Sequence, residues 1–190
     1  MSYAVLVYGS IGSGKTLTCL SLVERLRFKG ITFGGLISIR SYQEGKLKGY
    51  DGLDVVSGEM KPLARLGNGA PNTGWFSFGG LKYVFSIQGF NWANDVLIRT
   101  VESEYPPSIV FIDEYGRLEK AGLGIYPGVL KILERLGSEG ILIFTCRDDI
   151  VDVLEGLLKG KVDVIYKFKP EEFDSLWNAI QKLLSHSLNS

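Results

Sequence analysis

One histidine and two cysteines are all that 190 residues provide of the side chains that most often bind zinc or act as soft nucleophiles. The histidine, His186, sits in the polar run SHSLNS, so histidine-based triads and zinc-protease motifs are excluded by count. Cys19 and Cys146 form no C-x-x-C pair and no metal-ligand spacing, which fits two reduced thiols in a cytoplasmic protein. Neither sign of charge is in excess, 21 lysines and arginines balancing 21 aspartates and glutamates. That balance argues against nucleic acid as a partner and against a polybasic membrane surface. No run approaches the roughly 20 apolar residues of a membrane span, so no span is expected. MSYAVLVYGS enters its apolar stretch without a basic leader, and no secretory signal is expected either.

What is present is an ordinary globular composition, 45% hydrophobic and 22% charged, of a length that suits one domain over residues 1–190. Short apolar runs alternate with helical stripes. YAVLVYG (3–9) reads as a buried strand, followed by a helix from Lys15 to about Lys29. GGLISIR (34–40) and LKGYDGLDVV (47–56) read as extended segments around a turn at QEGK. PLARLG (62–67) and NGAPNTG (68–74) read as an excursion rich in glycine and asparagine, and LKYVFSI (81–87) as a returning strand. Ala93, Val96, Leu97, Thr100 and Val101 mark a helix face, which YPP at 105–107 ends before a strand at 108–112. Val129, Ile132, Leu133 and Leu136 form a second stripe closed by Gly137. ILIFT (141–145), a stripe from Ile150 to Leu158, VDVIYKF (162–168) and a stripe from Phe173 to Leu184 complete the pattern. Such alternation predicts an α/β fold in three layers, a mostly parallel sheet with helices on both faces.

Gly9, Ser10, Ile11, Gly12, Ser13, Gly14, Lys15 and Thr16 read GSIGSGKT, a complete G-x-x-x-x-G-K-[ST] phosphate loop between a strand and a helix. Its glycines let backbone N–H groups turn inward around a phosphate, and the helix aims its positive end at the same point. Lys15 is the expected ligand of β- and γ-phosphate oxygens, and the Thr16 hydroxyl that of Mg2+. A nucleoside triphosphate is thus the expected substrate.

SIVFIDEYGRLE (108–119) ends an apolar strand on two acids. Asp113 is the expected magnesium partner of Thr16. Glu114 is the expected general base that takes a proton from water aimed at the γ-phosphate. Thr145 ends the apolar run ILIFT at the carboxyl edge of the sheet and is expected to hold that water with Glu114, although threonine is also a good strand residue. Arg147 either meets the γ-phosphate or pairs with Asp148 or Asp149, and Arg40 and Arg117 are further candidates for stabilising transition-state charge. Asp51 and Asp54 read equally as turn residues. No N-K-x-D follows the loop, so the guanine-reading device of switch GTPases is missing.

Two rival readings share the same loop. One is a kinase for a small metabolite, with 67–80 in its acceptor site. The other is a nucleotide-dependent accessory subunit that binds a protein partner through Trp75 and Trp92.

Taken in order, GSIGSGKT, GGLIS, GYDGLDVVSGEMKPLAR, KYVFS, FIDEYGRLE and a strand ending in threonine resemble the THEP1-type nucleoside-triphosphatases over about residues 1–150. The specific part is G-[FY]-D before LAR, together with IDE-x-G-x-[LM]-E. The resemblance implies a RecA-like phosphate-loop fold of the additional-strand class and slow magnesium-dependent hydrolysis of several nucleoside triphosphates. It maps directly onto Gly9 to Thr16 and onto Asp113 and Glu114, and it adds Glu119 as an acid recurrent in the family. Two departures stand out. GGLISIR lacks the acid of the family's T-x-E-V-R, and Arg147 lies where a histidine is common.

Overall fold

The computed structural model describes residues 1–67, 73–135 and 140–187, with residues 186 and 187 described as backbone only. Leu136 and Gly137 of the second stripe, and residues 68–72 of the glycine-rich excursion, lie outside the described residues. The chain begins β1 (Ser2–Tyr8), α1 (Lys15–Phe28), β2 (Phe33–Gln43), β3 (Lys46–Asp54), β4 (Met60–Leu66), β5 (Trp75–Ser77), β6 (Tyr83–Ser86) and α2 (Ile87–Glu102). It continues β7 (Ile109–Tyr115), α3 (Arg117–Lys120), α4 (Tyr126–Arg135), β8 (Gly140–Cys146), α5 (Val151–Leu158), β9 (Val164–Phe168) and α6 (Phe173–Ser187). Among the described residues no helix is long and apolar enough to cross a membrane.

All nine strands join one sheet in the order β5-β6-β4-β3-β2-β7-β8-β1-β9. From β2 to β9 every pairing is parallel, whereas β3, β4, β6 and β5 extend the sheet from β2 as an antiparallel wing. β8 stands between the loop-bearing β1 and the acid-bearing β7, the arrangement expected of the additional-strand class.

Alternation within the apolar runs builds the layers. Val5 and Val7 of β1, Ile109 and Phe111 of β7, and Ile141 and Ile143 of β8 face α1 and α6. Ala4, Leu6, Val110, Ile112, Leu142 and Phe144 face α2, α4 and α5. Covered on both sides, these strands need no polar face, which is why they read as continuous apolar runs. α1 ends in a Schellman motif, Ile31 N–H bonding Leu26 O at 3.0 Å and Gly30 N–H bonding Arg27 O at 3.1 Å around Gly30 at φ 67°.

The wing is held by its own polar clamps. Glu44 and Gly45 both have positive φ, the type I′ geometry that joins β2 to β3 where QEGK reads as a turn. Arg65, buried on β4, pairs with Asp51 of β3 at 2.5 Å and donates to the carbonyls of Tyr50 (3.0 Å) and Ala64 (2.8 Å). A Cβ on Gly49 would stand 2.0 Å from Ala64 O, so the strands approach this closely only with glycine there. The G-Y-D and L-A-R segments are therefore the two halves of one cross-strand clamp.

Asp54 ties the root of the wing to α2. Its carboxylate accepts from Val56 N–H (3.0 Å), Ser57 N–H (3.4 Å), Ser57 Oγ (2.8 Å) and Arg99 Nη2 (2.8 Å). Burial pushes this carboxyl up, but the N–H groups, the Ser57 hydroxyl and Arg99 outweigh burial and hold it below its usual range. A depressed acid contributes stability in full above the unfolded pKa, about 3.9, and loses it as pH falls through the folded value. Asp54→Ala is expected to lower unfolding free energy by about 2–3 kcal/mol at pH 7. In urea melts the gap from the wild type should close below about pH 4, and a gap that persists unchanged at low pH would contradict this role.

Candidate active site

The phosphate loop leaves β1 at Tyr8 and enters α1 at Lys15. Gly12 (φ 82°) and Gly14 (φ 99°) take left-handed backbone, and a Cβ on Gly9 would stand 2.7 Å from Ser13 Oγ. Lys15, nearly buried, folds its ammonium back onto the carbonyls of Gly9 (3.0 Å) and Ser10 (2.9 Å). Ser13 Oγ is buried without a hydrogen-bond partner among the described residues. A buried orphan hydroxyl beside a cradle that a methyl group would fill fits a phosphate ligand.

Asp113, 2% exposed, is the hub of the opposite wall. It accepts from Ser38 N–H at 2.9 Å, from Thr16 Oγ1 at 3.1 Å, and from the Thr145 hydroxyl in a short hydrogen bond. Burial pushes its carboxyl up, against the opposing pull of the Thr145, Ser38 and Thr16 donors and of Lys15. Thr16 Oγ1 and Asp113 Oδ2 are hard oxygen donors side by side, the kind of pair that suits magnesium. Among the described residues no three histidine, cysteine, aspartate or glutamate side chains gather to hold a metal. Magnesium needs no such cage, since one carboxylate with substrate phosphates and water suffices.

The adjacent acids are separated by a break in register. Ile112 pairs with Phe144 and Tyr115 with Cys146, so Asp113 and Glu114 together oppose the single residue Thr145. This is a β-bulge, and beyond it the strand's side chains exchange faces. Ile109 and Phe111 face α1, yet Tyr115, which strict alternation would put with them, packs on the other layer with its ring 6.2 Å from Phe144 at 84°. Glu114 takes φ 63°, left-handed backbone that a residue with a side chain adopts only when held there. Two groups hold it. Glu114 N–H donates to Thr145 Oγ1 at 2.8 Å, and buried Glu119 accepts from Gly116 N–H (2.9 Å) and Ile125 N–H (3.1 Å), fixing the turn into α3.

The Glu114 side chain is exposed on the cavity wall, and protein encloses it only in part. That enclosure and then the Asp113 carboxylate push its carboxyl up to about 7, with Lys15 opposing and Glu119 adding to the rise. Among the described residues its carboxylate makes no hydrogen bond and no ion pair. Thr145, expected to handle water, is fully buried, and its hydroxyl lies between Asp113 and the Glu114 backbone.

The three open arginines separate by their neighbours. Arg40 reaches over the loop, its Nη2 3.8 Å from where a Cβ on Gly12 would be. Arg147 pairs with Asp149 at 3.1 Å, and Arg117 approaches the same carboxylate at 3.7 Å. Asp51 and Asp54 belong to β3 and its end rather than to the site. Trp92 is buried in the α2 layer, as ordinary packing predicts.

Loop, acids and arginines line one cavity of about 660 Å³ that continues beneath the wing. Ser38, which ends the GGLIS segment, fixes Asp113 through its backbone N–H, a role its side chain does not signal in the sequence. Its position on β2 beside β7 is the only signal.

Comparison with known proteins bears on this arrangement. The family model described as NTPase matches residues 4–181. The nucleoside-triphosphatase THEP1 of Pyrobaculum calidifontis is 34% identical over 113 residues, 60% of this chain and 57% of that protein. Its counterpart from Archaeoglobus fulgidus is 32% identical over 141 residues, 74% of each. The solution structure of a human cancer-related nucleoside triphosphatase is similar with a TM-score of 0.71, covering 96% of this chain and 98% of that one at 22% identity. The match thus spans little more than half the length of the Pyrobaculum protein, and the human structure speaks for the fold alone.

Proposed function

The chain belongs to the NTPase family, and from that premise we propose that it is a one-domain hydrolase converting nucleoside triphosphates to the diphosphate and phosphate with Mg2+. The observation that carries this reading is Glu114, an unpartnered carboxylate on the cavity wall beside the metal-binding acid. Lys15 and the amides of Gly9 to Thr16 bind the phosphates, Lys15 exchanging its carbonyl partners for phosphate oxygens. Thr16 and Asp113 hold magnesium, which neutralises charge on the β- and γ-phosphates when bound. Glu114 orients a water and takes its proton, which is the help that phosphoryl transfer to water most needs. Thr145 acts in catalysis by fixing the angle between Asp113 and Glu114, and Arg40 is the arginine best placed for γ-phosphate charge. The two buried free thiols suit a reducing cytoplasm.

A phosphate-release assay across ATP, GTP, CTP and UTP tests the reading. Release is expected from more than one of them, and chelating magnesium is expected to remove it. Release from none, or release indifferent to magnesium, would refute the assignment.

A further inference from the structure

The cavity does not end at the phosphate cradle. Past Glu114 its wall is formed by Tyr50, Ala64, Tyr83 and Phe85 of the wing, Phe90 of α2 and Leu118 of α3. Tyr50 and Tyr83 meet edge to face at 5.4 Å and 73°, and Phe85 lies 6.2 Å from Phe90. A wall of rings at these spacings suits a flat aromatic body, which rings of this kind contact by stacking or by their edges.

The position of this compartment matters more than its shape. In a nucleotide on the loop, the γ-phosphate is the end held near Thr16, Asp113 and Glu114, and the nucleoside leaves from the far end of the chain. In-line transfer brings the attacking oxygen to the side of γ-phosphorus opposite the β–γ bridge. The ring-lined compartment is built largely from the wing, which lies on the β7 side of the loop-bearing β1, the side of Asp113 and Glu114. An occupant there stands where the nucleophile must stand.

We propose that this compartment binds a second substrate, a flat, hydroxyl-bearing molecule whose hydroxyl takes the γ-phosphoryl group in place of water. The hydroxyl oxygen forms the new bond to γ-phosphorus and the bond to the β–γ bridging oxygen breaks. That electron pair leaves with the nucleoside diphosphate, and the hydroxyl proton passes to the Glu114 carboxylate. Nothing is oxidised or reduced. Hydrolysis is then the reaction of the same centre when water fills the compartment, so the proposal rests on the hydrolytic reading above.

The border of the compartment carries charge as well. Lys82 is exposed and 5.2 Å over the Tyr83 ring, Arg40 lies beside Tyr50, and the Glu119 carboxylate is taken up by two N–H groups. Arg65 behind Ala64 is committed to Asp51.

The test uses the full chain with γ-labelled ATP and magnesium, and adenosine, pyridoxine and 2-phenylethanol as probes. The expected result is a labelled phosphate monoester from at least one probe, saturating with its concentration. Ala64→Phe, which narrows the compartment, is expected to lower the ratio of ester to inorganic phosphate at least tenfold, and Tyr83→Ala serves the same purpose should Ala64→Phe fail to fold. Inorganic phosphate alone from every probe overturns the acceptor proposal and leaves hydrolysis standing. An unchanged ratio in a folded variant also overturns it, because the rings would not be the binding wall. No phosphate of either kind from the wild type would remove the hydrolytic reading itself.

Discussion

Glu114→Gln should bind magnesium nucleotide about as well as the wild type and turn it over roughly 10²–10³-fold more slowly, the range for removing a general base. The replacement is nearly isosteric, and its backbone N–H still donates to Thr145 Oγ1. The bulge and the Asp113 carboxylate are therefore preserved, and only the capacity to take a proton is lost. Removing a negative charge beside the phosphates tightens nucleotide binding, if it changes it at all. Single-turnover phosphate release, with a fluorescent nucleotide to report binding, separates the two quantities. Wild-type turnover in the variant would transfer the base to another group. A fall in affinity as large as the fall in rate would instead mean that Glu114 shapes the cradle.

Lys15→Ala acts at the other end of the reaction. The ammonium is expected to meet two phosphate oxygens, and charge-assisted bonds of this kind contribute about 3 kcal/mol, so affinity should fall by roughly 10²-fold. Charge on the transferring group grows towards the transition state, and turnover at saturating nucleotide should fall by a further 10²-fold or more. Both effects multiply in kcat/KM, which makes this the larger of the two losses. In the free protein the ammonium hydrogen-bonds the Gly9 and Ser10 carbonyls and faces the Asp113 and Glu114 carboxyls, so a shift in thermal midpoint reports how far those groups need it. Nucleotide affinity within a few-fold of wild type would exclude Lys15 from the phosphate site.

Much of the parallel half was legible because its chemistry is uniform. AVLVY, IVFI and ILIF are strands with no polar face, and such runs betray themselves without any knowledge of their neighbours. GSIGSGKT is equally self-contained, since backbone turns and a helix start are local events. The wing was harder. β4 carries Pro62, which speaks against a strand, and the sheet accepts it only through the irregularity where Asp51 meets Pro62. β5 is three residues long, below the length at which alternation is visible. The strand expected over 81–87 ends at Ser86, because the Ser86 hydroxyl takes Gly89 N–H and starts α2 with no loop between.

Within the site, the sequence shows two acids at the end of a strand but not the bulge that turns their side chains apart. What separates them is Thr145, brought into register from another strand 31 residues on, and Glu119, which acts through the backbone of a turn. Neither dependence leaves a local pattern. The pairing of Arg147 with Asp149 is local and one of its two expected readings, whereas the approach of Arg117 to the same carboxylate leaves no local pattern.

The positive φ of Glu114 carries a consequence for how this protein responds to selection in the laboratory. Left-handed backbone costs a residue with a Cβ roughly 1 kcal/mol relative to glycine. Glycine at 114 would relax that strain and remove the carboxylate in one step. A library sorted only for resistance to heat would therefore enrich glycine at this position, and with Glu114 as the proposed base its hardiest members are expected to be inert. Survival and turnover pull in opposite directions at one residue, so a screen for robust variants has to demand activity in every round.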